Sequence, residues 1–155
     1  SSDVCSSDLN KMGFSRNNAM QQYGQVAKEA QADGANPHRL ITMLLEGAMD
    51  KIAAAKGFML RSDIGSKGKL ISGAIAIVNG LRMSLDKQVG GEIAENLDNL
   101  YEYMGRILME ANVNNNPHQL DEVTSLLSEI RSAWVAIPDE IKAMPRADLE
   151  SQYLT

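Results

Sequence analysis

The sequence has one cysteine, few aromatic residues and no long apolar run. A lone cysteine, Cys5, cannot form an internal disulfide, which agrees with a reducing compartment. The apolar runs are short, as in Ala74-Ile75-Ala76-Ile77-Val78, whereas a membrane-spanning helix needs about 20 such residues. These absences exclude a disulfide framework and predict a cytoplasmic protein without membrane insertion.

An excess of positive charge is also missing. The formal net charge is -5 and the isoelectric point lies near 5.0, so the chain lacks the basic field that neutralises phosphates. Nucleic acid is therefore not expected as a partner. With nine methionines and only 5% aromatic residues, the interior must consist mainly of Leu, Ile, Ala and Met, which repack readily.

A chain of 155 residues fits one domain. Residues 1–18 lack apolar periodicity and are expected to be disordered. Residues 1–9 look like translated sequencing-adapter sequence, so this segment, including Cys5, is expected to be non-native. The pattern predicts a helical-bundle domain with an N-terminal cap segment over residues 19–140 and a flexible tail over residues 141–155.

Residues that typically start or end helices divide the domain into segments. Residues 20–30 form a short amphipathic segment, and four longer segments follow. The first and fourth begin at Asn36-Pro37 and Asn116-Pro117, where asparagine supplies the N-cap and proline occupies the first helical turn. We expect the first helix at about residues 37–61, the second at about 66–88 and the fourth at about 117–137, with a turn around Asp63. Gly90-Gly91 should end the second helix and start the third.

Each of the four segments carries one apolar stripe at helical spacing. The stripes of the first, second and fourth segments are Ile41, Leu44, Leu45, Ala48, Ile52, Ala55 and Met59; Leu70, Ala74, Ile77, Val78, Leu81 and Leu85; and Val123, Leu126, Leu127, Ile130, Trp134 and Ile137. The third is the most regular, with Ile93, Leu97, Leu100, Tyr101, Met104, Leu108 and Ala111 on one face. Short connections between helices of this length favour antiparallel neighbours. The predicted fold is all-α: an antiparallel up-down four-helix bundle with a short extra N-terminal amphipathic helix.

No catalytic or metal-binding constellation can be assembled. His38 and His118 each follow a helix-starting proline and lack the Glu-x-x-His spacing of bundle metal sites, so we interpret both as first-turn surface residues. The basic turn around Lys67 lacks the spacing of a phosphate loop. The acidic face of the third helix is expected to be solvated. We predict no enzyme activity, no cofactor and no metal.

Apolar residues that lie off the stripes are the candidates for function, because a bundle helix needs only one apolar face. Adaptable methionine and branched aliphatic side chains suit a helical or extended partner. The predicted partner-binding residues are Met20, Tyr23, Met43, Ile71, Ile75, Met83, Tyr103 and Met109. The alternative is a structural or regulatory bundle that self-associates through this surface, for example around Met83 and Tyr103.

Six motifs follow one another along the chain: Tyr23-Gly24-Gln25-Val26, Asn36-Pro37-His38-Arg39-Leu40-Ile41, Ser84-Leu85-Asp86, Gly90-Gly91-Glu92-Ile93-Ala94, Leu100-Tyr101-Glu102-Tyr103-Met104 and Ala133-Trp134. Together they resemble the FliS family of flagellar secretion chaperones for flagellin. The match covers about residues 19–137, and its specificity lies in the order and spacing of the whole set.

The resemblance implies a four-helix bundle that binds the disordered C-terminal region of flagellin, prevents its premature polymerisation and delivers it to the flagellar type III export gate. In the family, an N-terminal segment can cover part of the groove or assist at the gate, and Met20 and Tyr23 occupy the matching positions. A co-chaperone or an anti-sigma regulator would be further partners. We expect a monomer or a weak homodimer.

Overall fold

The computed structural model describes residues 24–26, 28–29 and 36–137. Residues 36–137 contain four helices: α1 (Pro37–Leu60), α2 (Ile64–Met83), α3 (Lys87–Asn114) and α4 (Pro117–Val135). The described residues of the N-terminal segment are helical as well, and Val26 packs against the core. The all-α prediction is confirmed. Met20, Tyr23 and the predicted N- and C-terminal tails lie outside the described residues.

The helices form a ring in which α1 packs on α2, α2 on α3, α3 on α4, and α4 on α1. Lys67 near the start of α2 contacts Asn112 near the end of α3, while Arg82 at the other end of α2 contacts Asp98. These two contacts show that α2 and α3 run antiparallel. Because the connections are short, every neighbouring pair in the ring is antiparallel, as the sequence predicts.

The N-caps explain three of the helix starts. The Asn36 side chain accepts a hydrogen bond from the Arg39 backbone N–H at 2.8 Å, and Asn116 accepts one from the His118 backbone N–H at 3.0 Å, so both Asn-Pro predictions are confirmed. Asp63 caps α2 by accepting from the Ser66 backbone N–H. The second helix therefore begins at Ile64, two residues before the predicted start.

The predicted boundary between the second and third helices is wrong. α2 ends at Met83, and Asp86 caps α3 by accepting from the backbone N–H groups of Gln88 and Val89. Gly90-Gly91 therefore interrupts α3 near its start. Sequence reasoning missed this because a capped single turn, residues 87–90, precedes the break, and a glycine pair resembles a helix end.

The break in α3 requires both glycines. Gly91 has φ +51° and ψ −125°, a conformation that L side chains rarely adopt. A Cβ on Gly90 would lie 2.7 Å from the Cβ of Ala94. The regular part of α3 begins after this break, and its first apolar residue is Ile93.

The core runs through the centre of the ring. Its largest fully buried members come from all four helices and include Leu44, Leu45, Ile77, Leu81, Met104, Leu108, Leu120 and Leu127. These belong to the predicted stripes, except for Leu120, which the predicted stripe of the fourth helix left out. Burying one such side chain stabilises the fold by roughly 1.5–3 kcal/mol.

Candidate functional site

The predicted partner-binding residues do not form one surface. The described members lie on three helices: Met43 on α1, Ile71, Ile75 and Met83 on α2, and Tyr103 and Met109 on α3. Met43, Ile75 and Tyr103 are half-buried, whereas Met83 and Met109 are exposed. The set therefore has to be divided before a function is assigned.

Ile71 is a core residue. Only 1% of its surface is exposed, so the prediction that it is an accessible edge residue is wrong. The buried side of α2 is wider than one stripe and includes Lys67, Gly73, Ala76 and Gly80, because α2 packs between α1 and α3. A single-stripe helical wheel underestimates the burial of a helix with two such neighbours.

Tyr103 is already engaged within the bundle. Its hydroxyl donates to the Glu122 carboxylate at 2.5 Å, which links α3 to α4. This hydrogen bond is the main reason why the pKa of Tyr103 is raised above its ordinary value. Met109 is 61% exposed and, six residues further on, points to a different side of α3. The structure therefore separates the two off-stripe residues of this helix.

Ile93 is the main residue that sequence reasoning placed wrongly. It lies on the core stripe of α3 and was predicted to be buried, yet it is 72% exposed. Two contacts give the alignment of α3 and α4: Tyr103 with Glu122, and Glu110 with Gln119. Extended along both antiparallel helices, this alignment brings Ile93 level with residues 132–136 of α4, which include Val135. The apolar stripe thus continues past the point where neighbouring helices cover it.

Ile93 belongs to one end of the bundle, where α1 and α3 begin and α2 and α4 end. We call this the open end, because its outermost core residues pack against the core but are only partly buried. They are Leu40, Ile41, Leu85, Leu97, Ile130 and Trp134. Two exposed side chains lie at the same end, Met83 (70% exposed) and Val135. The open end thus includes the predicted Met83 but also residues taken for core.

The opposite end, where α2 and α4 begin, is the closed end. Its core residues Ala55, Met59, Ala111 and Leu120 are buried, and Leu70 is half-buried. Three apolar side chains outside the core are exposed at this end: Leu60, Ile64 and Val113. The Lys67 ammonium is buried here and donates to the Asn112 carbonyl at 2.8 Å and to Asn115 Oδ1 at 2.6 Å. This cation satisfies carbonyl groups at the end of α3, where a positive charge is favourable.

A stacked pair joins α1 and α4 at the open end. The rings of His38 and Trp134 are 4.6 Å apart and nearly parallel. His38 Nε2 lies 2.7 Å from the Trp134 carbonyl oxygen, and Trp134 Nε1 donates to the His38 carbonyl at 2.9 Å. The prediction of a surface residue is therefore wrong for His38 and confirmed for His118, which is exposed. Spacing alone could not reveal a contact between residues so distant in sequence.

The charges near the open end are partly paired. Asp98 accepts from Arg82 Nε at 2.6 Å and from Lys87 Nζ at 3.1 Å, which ties the end of α2 and the start of α3 together. The hydrogen bonds from Arg82 and Lys87 hold the pKa of Asp98 below its ordinary value. Glu92 and Glu95, by contrast, are exposed, and neither has an ion-pair partner among the described residues.

Two other classes of feature, a metal site and a membrane-spanning helix, are absent from the described residues. Across residues 24–26, 28–29 and 36–137, no three His, Cys, Asp or Glu side chains are grouped so that they could hold a metal ion. Within the same ranges, no helix combines the length and apolar character needed to cross a membrane. Exposed apolar side chains occur at both ends of the bundle, so the open end is distinguished by its layer of partly buried core residues.

The family model described as flagellar protein FliS matches residues 19–141. The chain belongs to the FliS family. The matched range contains all four helices and the open end. The family is one of chaperones and not of enzymes.

Similar proteins carry the same family name. The chain is 53% identical to the flagellar secretion chaperone FliSB of Pseudomonas aeruginosa over 77% of this chain and 94% of that protein. It is 45% identical to the flagellar secretion chaperone FliS of Salmonella typhimurium over 74% of this chain and 86% of that protein. It is 36% identical to the flagellar secretion chaperone FliS of Vibrio cholerae over 84% of this chain and 96% of that protein. These relatives support an export chaperone.

Proposed function

We propose that this FliS protein is a cytoplasmic export chaperone for flagellin. It binds the disordered C-terminal region of newly made flagellin, its client, prevents premature polymerisation and delivers the client to the flagellar type III export gate. The observation that carries the proposal is the open end: a bundle of a chaperone family leaves the apolar stripe of α3 uncovered at Ile93, at the same end as the exposed Met83.

The open end suits a client that folds as it binds. A disordered segment loses chain entropy on ordering, so the affinity must come from extensive apolar contact. Partly buried side chains such as Leu97 and Trp134 offer that contact without needing to leave the core. Methionine at the edge of the surface adapts to different client side chains. The action is stoichiometric and needs no nucleotide.

Calorimetry with a peptide of the flagellin C-terminal region tests the proposal. We expect saturable binding near one peptide per chain with a negative heat-capacity change, because apolar surface is buried. A scrambled peptide of the same composition is the control. If calorimetry shows no heat of binding and the peptide does not co-elute with the protein in gel filtration, flagellin is rejected as the client.

A matched pair of variants tests the location. Ile93→Asp at the open end and Ile64→Asp at the closed end change side chains of similar exposure, 72% and 64%. Surface substitutions of this kind usually change stability by no more than about 0.5 kcal/mol. Ile93→Asp should weaken peptide binding, while Ile64→Asp should not. Equal effects on binding would place the client elsewhere.

Self-association remains the second hypothesis from the sequence, and sedimentation of the free protein tests it. A tight dimer that covers Met83 would compete with the client for the same surface.

Roles of Met20 and Tyr23 at the groove or the gate also stay predictions, as do a co-chaperone and an anti-sigma regulator as partners. Met20→Asp with Tyr23→Ala should reduce binding or delivery while leaving the melting temperature unchanged.

A further inference from the structure

The chain itself leaves the bundle at the open end. α4 ends at Val135, Ala136 caps it, and the Ile137 backbone N–H donates to the Trp134 carbonyl at 3.3 Å. By the alignment of the two helices, Val135 of α4 lies at about the level of Ile93 of α3. Residues 138–155 of the sequence therefore start beside the uncovered part of the α3 stripe.

We propose that residues 141–146 of the same chain cover the open end at Ile93 and Val135, and that flagellin must displace them. Their sequence is Ile-Lys-Ala-Met-Pro-Arg. The cover is an intramolecular competitor for the apolar surface. It rests on the proposed function only in naming flagellin as the ligand that displaces it.

The distance is short enough. Ile141 is four residues beyond Ile137, and an extended chain spans up to roughly 13 Å over that length. Packed helices are separated by roughly 8–10 Å between axes. The first apolar residue of the segment can therefore reach α3 from the end of α4 without disturbing either helix.

The chemistry of the segment matches the surface. Ile141 and Met144 are apolar, as Ile93 requires, and Lys142 and Arg146 are basic. On the bundle side, Glu92 and Glu95 are exposed next to Ile93 and have no ion-pair partner among the described residues. Acidic residues flank the segment at positions 139, 140, 148 and 150, so residues 141–146 are the part with complementary charge.

Trp134 reports on the cover because it is the only tryptophan of the chain and lies half-buried at the open end. A chain ending at residue 137 should show stronger acrylamide quenching of Trp134 and faster amide hydrogen exchange at residues 92–97 than the full chain. A chain ending at residue 146 keeps the segment and should behave like the full chain. Identical quenching and exchange in all three chains would overturn the proposal.

Charge reversal tests whether residues 141–146, rather than another segment or a second copy, cover the open end. Lys142→Glu with Arg146→Glu should expose Trp134, and so should Glu92→Lys with Glu95→Lys, because each pair opposes like charges. Combining all four substitutions should restore the protection. If each pair exposes Trp134 but the combination does not restore its protection from quenching, the assigned contact is contradicted. Protection of Trp134 that depends on protein concentration would indicate a second copy and would also contradict the proposal. The same holds if Trp134 loses its protection only when residues 1–23 are removed.

Competition gives the last measurement. If the full chain is covered in about nine-tenths of the molecules, the chain ending at residue 137 should bind the flagellin peptide about tenfold more tightly. Unchanged affinity alongside greater exposure of Trp134 would reject displacement by flagellin while leaving the cover in place. Failure of both chains to bind the peptide would instead reject the proposed function, because the quenching and exchange measurements do not involve flagellin.

Discussion

The two ends of the bundle are built from the same kinds of residues but finished differently. At the closed end, a buried lysine satisfies the carbonyl groups at the end of α3, and Met59, Ala111 and Leu120 are buried. At the open end, the equivalent residues remain partly exposed and the stripe of α3 continues to Ile93. The comparison teaches that the core of one bundle can end in fully buried residues on one side and in a partly exposed apolar layer on the other.

The largest expected difference between the ends is in packing energy. Leu120→Ala at the closed end should lower the free energy of unfolding by about 3–5 kcal/mol, because a fully buried leucine leaves a cavity. Leu97→Ala at the open end should cost only about 1–2 kcal/mol, since Leu97 is already half-buried. Urea denaturation of both variants measures this. Both variants are made in the chain ending at residue 137, which lacks the proposed cover, and equal losses there would mean that the four helices bury the two ends equally well.

Substitution of Lys67 tests how much its buried hydrogen bonds stabilise the closed end. Lys67→Met leaves the Asn112 carbonyl and Asn115 Oδ1 without their buried donor, which should cost about 1–3 kcal/mol. Lys69→Met is the control, because Lys69 is exposed two residues away and should change stability by less than about 0.5 kcal/mol. Thermal melts distinguish the two, and indistinguishable variants would remove Lys67 from this role.

The stacked pair tests how the open end is held. His38→Ala removes both the ring contact with Trp134 and the hydrogen bond to its carbonyl, with an expected loss of about 1 kcal/mol. His118→Ala is the matched control, since His118 also follows a helix-starting proline but is exposed. Trp134 fluorescence should change in the first variant alone. A change in both would point to a general effect of the helix starts.

The smallest expected effect is electrostatic. Hydrogen bonds from Arg82 and Lys87 hold the pKa of Asp98 below its ordinary value, so the stabilisation is present above about pH 4 and is lost as the pH falls through the lowered pKa. Asp98→Asn should therefore flatten the acid limb of the stability curve, whereas Glu95→Gln should not. Salt should weaken the effect. An unchanged acid limb in Asp98→Asn would show that the pair adds no stability.

Local patterns were enough for much of the fold. The Asn-Pro pairs place the starts of α1 and α4 because cap and proline act within one turn. The apolar stripes predict which residues face inward, and Leu44, Met104 and Leu127 are buried accordingly. The candidate site was predicted less well: Met83 and Met109 are exposed as expected, but Ile71 is buried and Ile93 is not.

These errors share one physical cause. Periodicity tells which side of a helix faces the core, but burial also depends on how many neighbours the helix has and where along its length they end. Ile71 is buried because α2 packs between two helices. Ile93 is exposed because its stripe extends beyond the partly buried layer at the end of the core.

By itself, the sequence determined the all-α class, the caps, the inward faces and the family, because these depend on interactions within a few turns and on motifs in order. The tertiary structure decided which end is open, how α3 aligns with α4, and that His38 stacks on Trp134. Such features depend on contacts between distant parts of the chain. Only packing the four helices together brings those parts within reach.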